Sequence, residues 1–186
     1  MAVNWVADEA ALLPQAFDEV KDAQSSATNI YVPSIKLGTV AQFHDAGSTQ
    51  YGTALFKYVR YTGGTANVAG VSGNAVYYSS VDDNYLVTSD CTDLKEAAGI
   101  LHSAPGGAAD DDDYIWIQIS GIAVFGSAKV NGTMAALTVL VCPATSETDG
   151  KLLLRADGTA ATVIKRPCAS ILSTGASGLI SCDFLR

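Results

Sequence analysis

The chain has 186 residues, of which 48% are hydrophobic and 16% charged, a globular composition at a length where one core forms without metal or disulfide staples. Its 19 acidic and 11 basic residues give a formal charge of -8, which repels nucleic acid at long range, and no basic cluster exceeds Lys165-Arg166. No apolar run approaches the ~20 residues of a membrane-spanning helix, so neither nucleic acid nor a membrane is an expected partner.

Residues 1–24 have helical character, with Val6, Ala10, Leu13, Phe17 and Val20 at helical spacing. Pro14 interrupts the run, which predicts two short helices or a kinked one. Asp8, Glu9, Asp18 and Glu19 stand where a signal peptide would need a basic start and an apolar run, so no signal peptide is expected, and synthesis and residence in a cytosol are. Residues 25–34 read as an extended linker. Residues 1–34 are therefore expected to form a helical or extended arm, and residues 35–186 a β domain. The apolar stripe of the arm either packs on its own domain or forms an interface. Trp5, Val6, Leu13, Phe17, Val20 and Tyr31 are the interface candidates.

From Ile35 onward the pattern is short strands and turns. Leu55–Tyr61 places Phe56, Tyr58 and Arg60 on one side and Leu55, Lys57, Val59 and Tyr61 on the other. Strands are expected at Ala75–Tyr78 and Tyr85–Thr88. Asp93–Leu101 reads as one helical turn or a bend leading into a strand. Pro105 to Asp113 is a loop by composition, its four aspartates a solvated acidic surface.

The strongest strand signal follows. Tyr114, Trp116, Gln118 and Ser120 alternate with Ile115, Ile117 and Ile119, the pattern of a half-buried strand. Gly121 is placed to kink or bulge it before Ile122–Phe125. Later strands are expected at Ala136–Cys142, Lys151–Arg155, Ala161–Lys165, Cys168–Leu172 and Leu179–Leu185, with Asp149-Gly150 and Asp157-Gly158 as hairpin turns. In the last strand Ile180, Cys182 and Phe184 oppose Leu179, Ser181, Asp183 and Leu185. The fold class is mainly β, an antiparallel barrel or sandwich of about eight to ten short strands.

Chemistry-bearing patterns are sparse. Cys91, Cys142, Cys168 and Cys182 match no zinc spacing and read as buried, reduced thiols. Asp110 to Asp113 lacks the alternating oxygens and turn glycine of a calcium loop. Gly150-Lys151 lacks the remaining residues of a phosphate loop. His44 and His102 are the histidines available to a nucleophile, and no Gly-x-Ser-x-Gly elbow accompanies them. No enzyme activity, metal or cofactor is expected. Trp116 or the Tyr77-Tyr78 pair would be the platform of a carbohydrate-binding module, an alternative reading.

The order of features from Leu37 to Ala128 resembles the small decoration, or cement, proteins of tailed-phage heads. A Leu37-Gly38 start leads to Tyr51-Gly52-Thr53-Ala54-Leu55-Phe56-Lys57-Tyr58-Val59. A Gly-rich stretch from Gly63 to Gly73 precedes Ala75–Tyr78. The most specific piece is the Tyr-x-Trp-x-Gln-x-Ser-Gly-x-Ala pattern of Tyr114 to Ala123. The resemblance implies a non-enzymatic virion protein on the capsid exterior, assembled in the host cytoplasm. Its partners would be itself, as a homotrimer, and the major capsid protein, whose neighbouring capsomers it would bridge. A head-fibre or tail-tube subunit is the alternative within the virion.

Overall fold

The computed structural model describes residues 5–7, 21–22, 24–26, 29–30, 35–45, 51–66, 68–79, 85–90, 96–102, 113–125, 127–131, 135–137, 139–141, 149–154 and 167–184. The fold is mainly β, as the alternating patterns dictate. Among the described residues the strands are β1 (Trp5–Ala7), β2 (Lys21–Asp22), β3 (Gln24–Ser26), β4 (Asn29–Ile30), β5 (Val40–Asp45), β6 (Thr53–Tyr61), β7 (Ala75–Tyr78), β8 (Leu86–Thr88) and β9 (Ala97–Leu101). They continue with β10 (Asp113–Val124), β11 (Val130–Asn131), β12 (Val139–Val141), β13 (Leu152–Leu154), β14 (Pro167–Ile171) and β15 (Leu179–Asp183). A 3-10 turn, Ser127–Lys129, precedes β11.

Strands β6, β8, β7, β9 and β10 follow one another by hydrogen bonding, and β10 returns to β6. The sheet thus closes into a barrel, which removes open edges from its centre. Most pairings are antiparallel, as expected, but β6 and β8 run parallel, and so do β11 and β13. From β10 the sheet runs outward through β15, β14, β12, β13 and β11.

β10 is the strand on which the architecture depends. β6 lies along it from Asp113 to Ser120. A strand has only two edges, so β2, β9 and β15, paired at residues 113–114, 117–118 and 120–124, share the other one. The register with β6 slips between Gln118 and Ser120, leaving Ile119 as the extra residue of a bulge. The carbonyl of Ile119 accepts instead from the Phe184 N–H at 2.9 Å. Two residues on, Gly121 has φ 93°. A side chain there would bring its Cβ to 2.8 Å from the Thr53 carbonyl oxygen, so only glycine lets the two backbones meet.

The face assignments of β6, β10 and β15 hold. Ile115, Ile117 and Ile119 lie in the main core with Val59, Tyr61, Tyr77, Val87, Ile100, Phe125 and Phe184. Each isoleucine contributes roughly 1.5–3 kcal/mol by leaving water. Ile180 and Cys182 of β15 are buried while Ser181 and Asp183 are exposed. The half-buried reading of β10 is corrected, because its other face is covered too. Tyr114 and Trp116 join a second cluster with Ile35, Phe43, Ala54, Phe56 and Tyr58. Aromatic and apolar residues of β5 and β6 supply that cover.

Other expectations change with the tertiary pairing. Asp113 starts β10 and is buried, opposite Tyr61 and Asp22, rather than lying in the acidic loop. The strand expected over Ala136–Cys142 is shorter, with Ala136 and Leu137 in a turn before β12. Ala97–Leu101 resolves the ambiguity of its segment as a strand. The run Ala161–Lys165, Cys91, Cys142 and Asp157-Gly158 lie outside the described residues. Cys168 and Cys182 are buried, as their apolar segments suggested, and the Cys168 thiol donates to the Leu140 carbonyl at 3.4 Å.

Of the arm, residues 5–7, 21–22, 24–26 and 29–30 are described, and each is extended; Ala10, Leu13, Phe17 and Val20 of the expected helical spacing lie outside the described residues. Trp5–Ala7 is a strand on the edge of β5, and Lys21–Asp22 pairs with the start of β10. Gln24–Ser26 and Asn29–Ile30 form a small hairpin where a plain linker was expected. A helix this short leaves most of its terminal N–H and C=O groups unmet. An available strand edge satisfies them, and the β-branched Val6 suits it.

Candidate interaction surface

The aromatic residues of β5, β6, β7 and β10 are used inside the molecule. The Phe43 ring centroid lies 4.9 Å from that of Phe56 and 5.5 Å from that of Trp116, both edge-on. Tyr58 is 5.2 Å from Trp116 and stacks with Tyr114 at 6.2 Å. Such offset and edge-on geometries add to the gain from burial. Trp116 is 0% exposed, and its indole N–H is buried without an acceptor. Tyr77 and Tyr78 are also buried. The Tyr77 hydroxyl donates to the Lys151 carbonyl, and that of Tyr78 accepts from Lys57 Nζ at 3.1 Å. None of these three rings is open to stack on a sugar, which corrects the expectation of a platform at these positions. Alternation revealed a strand but not that both of its faces would be covered.

Next to this cluster stands His102, whose ring lies 5.4 Å from that of Phe56. Gln118 Nε2 donates to the carbonyls of Ser120 and Ile122 at 3.2 and 2.9 Å. Its Oε1 therefore faces His102 Nε2, at 2.6 Å, as an acceptor, so the neutral histidine carries its proton on Nε2. Burial lowers the His102 pKa below the ordinary histidine value, and the bond to Gln118 offsets part of that. Gln118, on the aromatic face of β10 and 0% exposed, thus has both ends of its amide paired. His44 sits on β5 opposite Thr53 and Val6. Among the described residues no group of three or more His, Cys, Asp or Glu side chains is arranged to hold a metal ion.

The outer strands are latched to the barrel at Asp149-Gly150. The Gly150 N–H donates to the Ser89 carbonyl, and the Gly150 carbonyl accepts from the Ala75 N–H, both at 2.9 Å. Lys129 Nζ donates to the buried Asn74 side chain. Desolvation, and then the neighbouring Lys151 charge, lower the Lys129 pKa. The turn expected from the Asp-Gly pair is present, with Gly150 at φ 68°, but its bonds go to the barrel.

Of the interface candidates, Trp5 and Val6 lie on β1, opposite Asp45 and His44 of the same chain. Leu13, Phe17, Val20 and Tyr31 lie outside the described residues. The large hydrophobic residues exposed among the described positions are others: Val40, Val71, Tyr85, Leu137 and Leu172. Tyr85 rests its ring over Gly38, where a Cβ would come within 2.1 Å of a ring carbon. Leu137 is 87% exposed and has φ 64°. In the strand expected over Ala136–Cys142, Leu137 and Leu140 fall on opposite faces, and Leu140 is the buried one. Leu137 lies in the turn before β12, whereas Leu140 lies within β12 opposite Ala169 of β14.

Neither family models, nor curated proteins, nor solved structures match this chain.

Proposed function

We propose that the protein is a structural virion component that decorates the head of a tailed phage. It binds the outside of the assembled shell as a homotrimer, bridges neighbouring copies of the major capsid protein and stabilises the lattice, with no reaction to perform. The observation that carries this reading is the joint placement of the segments that resemble decoration proteins. Tyr114 to Ala123 lies on β10, Thr53 to Val59 on β6, and Ala75–Tyr78 is β7. The first two pair directly, Trp116 opposite Tyr58 and Gln118 opposite Phe56. All three are walls of the closed barrel. Gly121 and Gly38 of that pattern each sit where a side chain would collide. The pattern therefore coincides with a physically constrained barrel, which supports the resemblance as a whole.

The aromatic residues that stabilise this barrel are buried, so attachment to a shell falls to the remaining surface. Many weak contacts repeated on a symmetric lattice sum to firm attachment. The test is to mix the purified chain with emptied, expanded heads of the phage that encodes it and sediment them. Co-sedimentation at a fixed ratio to the shell protein is expected, with a raised melting temperature of the shell. Reconstructed particles with no added density outside the shell would overturn the reading. Density in a fibre or the tail would move the protein to the other virion role.

A further inference from the structure

We propose that Lys129 and Asn74 join in an intramolecular isopeptide cross-link, with loss of ammonia, which ties the outer strands covalently to the barrel. Lys129 ends the 3-10 turn, and β11 begins at the next residue. Asn74 immediately precedes β7 of the barrel. Its backbone is held at both ends: the N–H donates to the Val71 carbonyl and the carbonyl accepts from the Leu101 N–H, each at 2.9 Å. The residue is buried. Lys129 Nζ donates to Asn74 Oδ1. An ammonium group has no acceptor capacity, so the amide oxygen faces the lysine. The amide nitrogen is then turned toward Gly150, where a Cβ would come within 2.4 Å of it. The lysine nitrogen is thus held beside the amide carbon, and the group that would depart lies against a residue with no side chain.

The surroundings favour the neutral amine, which is the nucleophilic form. Desolvation and then the Lys151 charge lower the Lys129 pKa, and no acidic side chain among the described residues opposes them. In the reaction the Lys129 nitrogen adds to the Asn74 Cγ and a new C–N bond forms. The bond from Cγ to Nδ2 breaks. The proton given up by the attacking nitrogen passes to the departing one, directly or through water, and ammonia leaves. One amide replaces another, so no oxidant, reductant or co-reactant is consumed. Holding both groups in contact makes the step intramolecular.

The two residues are 55 positions apart. The link would close a loop that contains β7, β8, β9 and β10, and it restricts the unfolded chain as a disulfide does. It reinforces the hydrogen bonds of Gly150 at the same junction. The proposal does not depend on a phage head.

The test is the intact mass of the purified full chain, followed during incubation at neutral and mildly alkaline pH. A species lighter than the amino-acid sequence by one ammonia is expected, forming faster at the higher pH as more of the amine becomes neutral. Protease digestion is expected to yield one branched peptide that joins the segments of Asn74 and Lys129. Lys129→Arg keeps a charged donor for Asn74 but supplies a guanidinium, which stays protonated, and it is expected to keep the full mass of its sequence. A parent chain that retains its full mass throughout would overturn the proposal. So would a loss of ammonia that persists in Lys129→Arg, or that maps to a succinimide at Asn131-Gly132 without a branched peptide.

Discussion

His102 shows how a single side chain ties pH to folding. In the folded chain it is neutral and its pKa is lowered, burial being the main cause; in the unfolded chain it returns to about 6.5. Above that value both states hold the same number of protons, and stability does not respond to this group. Below it the unfolded state binds a proton that the folded state refuses, so stability falls as the solution is acidified toward the folded pKa. The loss is at most about 1.4 kcal/mol per pH unit over that window. Urea midpoints followed downward from pH 8 are expected to show this drop, and His102→Gln, which keeps a donor for Gln118, is expected to remove His102's share. An acid limb identical in parent and variant would show that another group is responsible. Cys182 acts at the opposite end of the scale. Burial chiefly, and Cys168 after it, raise its pKa well above the ordinary thiol value, so its contribution is lost as the solution becomes alkaline enough to ionise the unfolded thiol.

At the scale of one element, β10 joins two clusters because it alternates two kinds of apolar side chain, isoleucine on one face and aromatic residues on the other. Its bulge at Ile119 and its glycine at 121 redirect it from β6 toward β15. Gly121→Ala places a Cβ against the Thr53 carbonyl oxygen in a backbone conformation that alanine rarely adopts. A loss of about 1–3 kcal/mol is expected, read as a lower urea midpoint. An unchanged midpoint would mean that β6 and β10 do not approach as described. The alternation of residues 114–120 was legible in the sequence because a strand projects neighbours to opposite faces. Its double burial was not, since that depends on Phe43, Phe56 and Tyr58 arriving from elsewhere in the chain. In the same way, the spacing of Val6 with later apolar residues did not show that Trp5–Ala7 would pair with the edge of β5.

For the whole molecule, the closed ring means that the two clusters share β6 and β10 and cannot lose one without exposing the other. They are expected to unfold together. With Trp5→Phe, indole emission reports Trp116 alone, and its thermal transition is expected to coincide with the loss of strand signal in circular dichroism. An emission change that comes first would show the aromatic cluster to be an independent unit. The latch at Gly150 extends this coupling to the outer strands, because Ser89 and Ala75 belong to the barrel side of those bonds.

Composition, alternation and turn residues by themselves determined that the chain is a β protein, where most barrel strands run and which residues of β6, β10 and β15 share a face. These are local properties, set by backbone geometry and by the transfer of apolar groups out of water. Tertiary structure alone decided that the sheet closes on itself, that Trp116, Tyr77 and Tyr78 are buried, and that Leu137 is exposed in a turn while Leu140 is core. Each of those outcomes depends on which distant strand supplies the hydrogen-bond partner, and a one-residue change of register exchanges the buried and exposed faces.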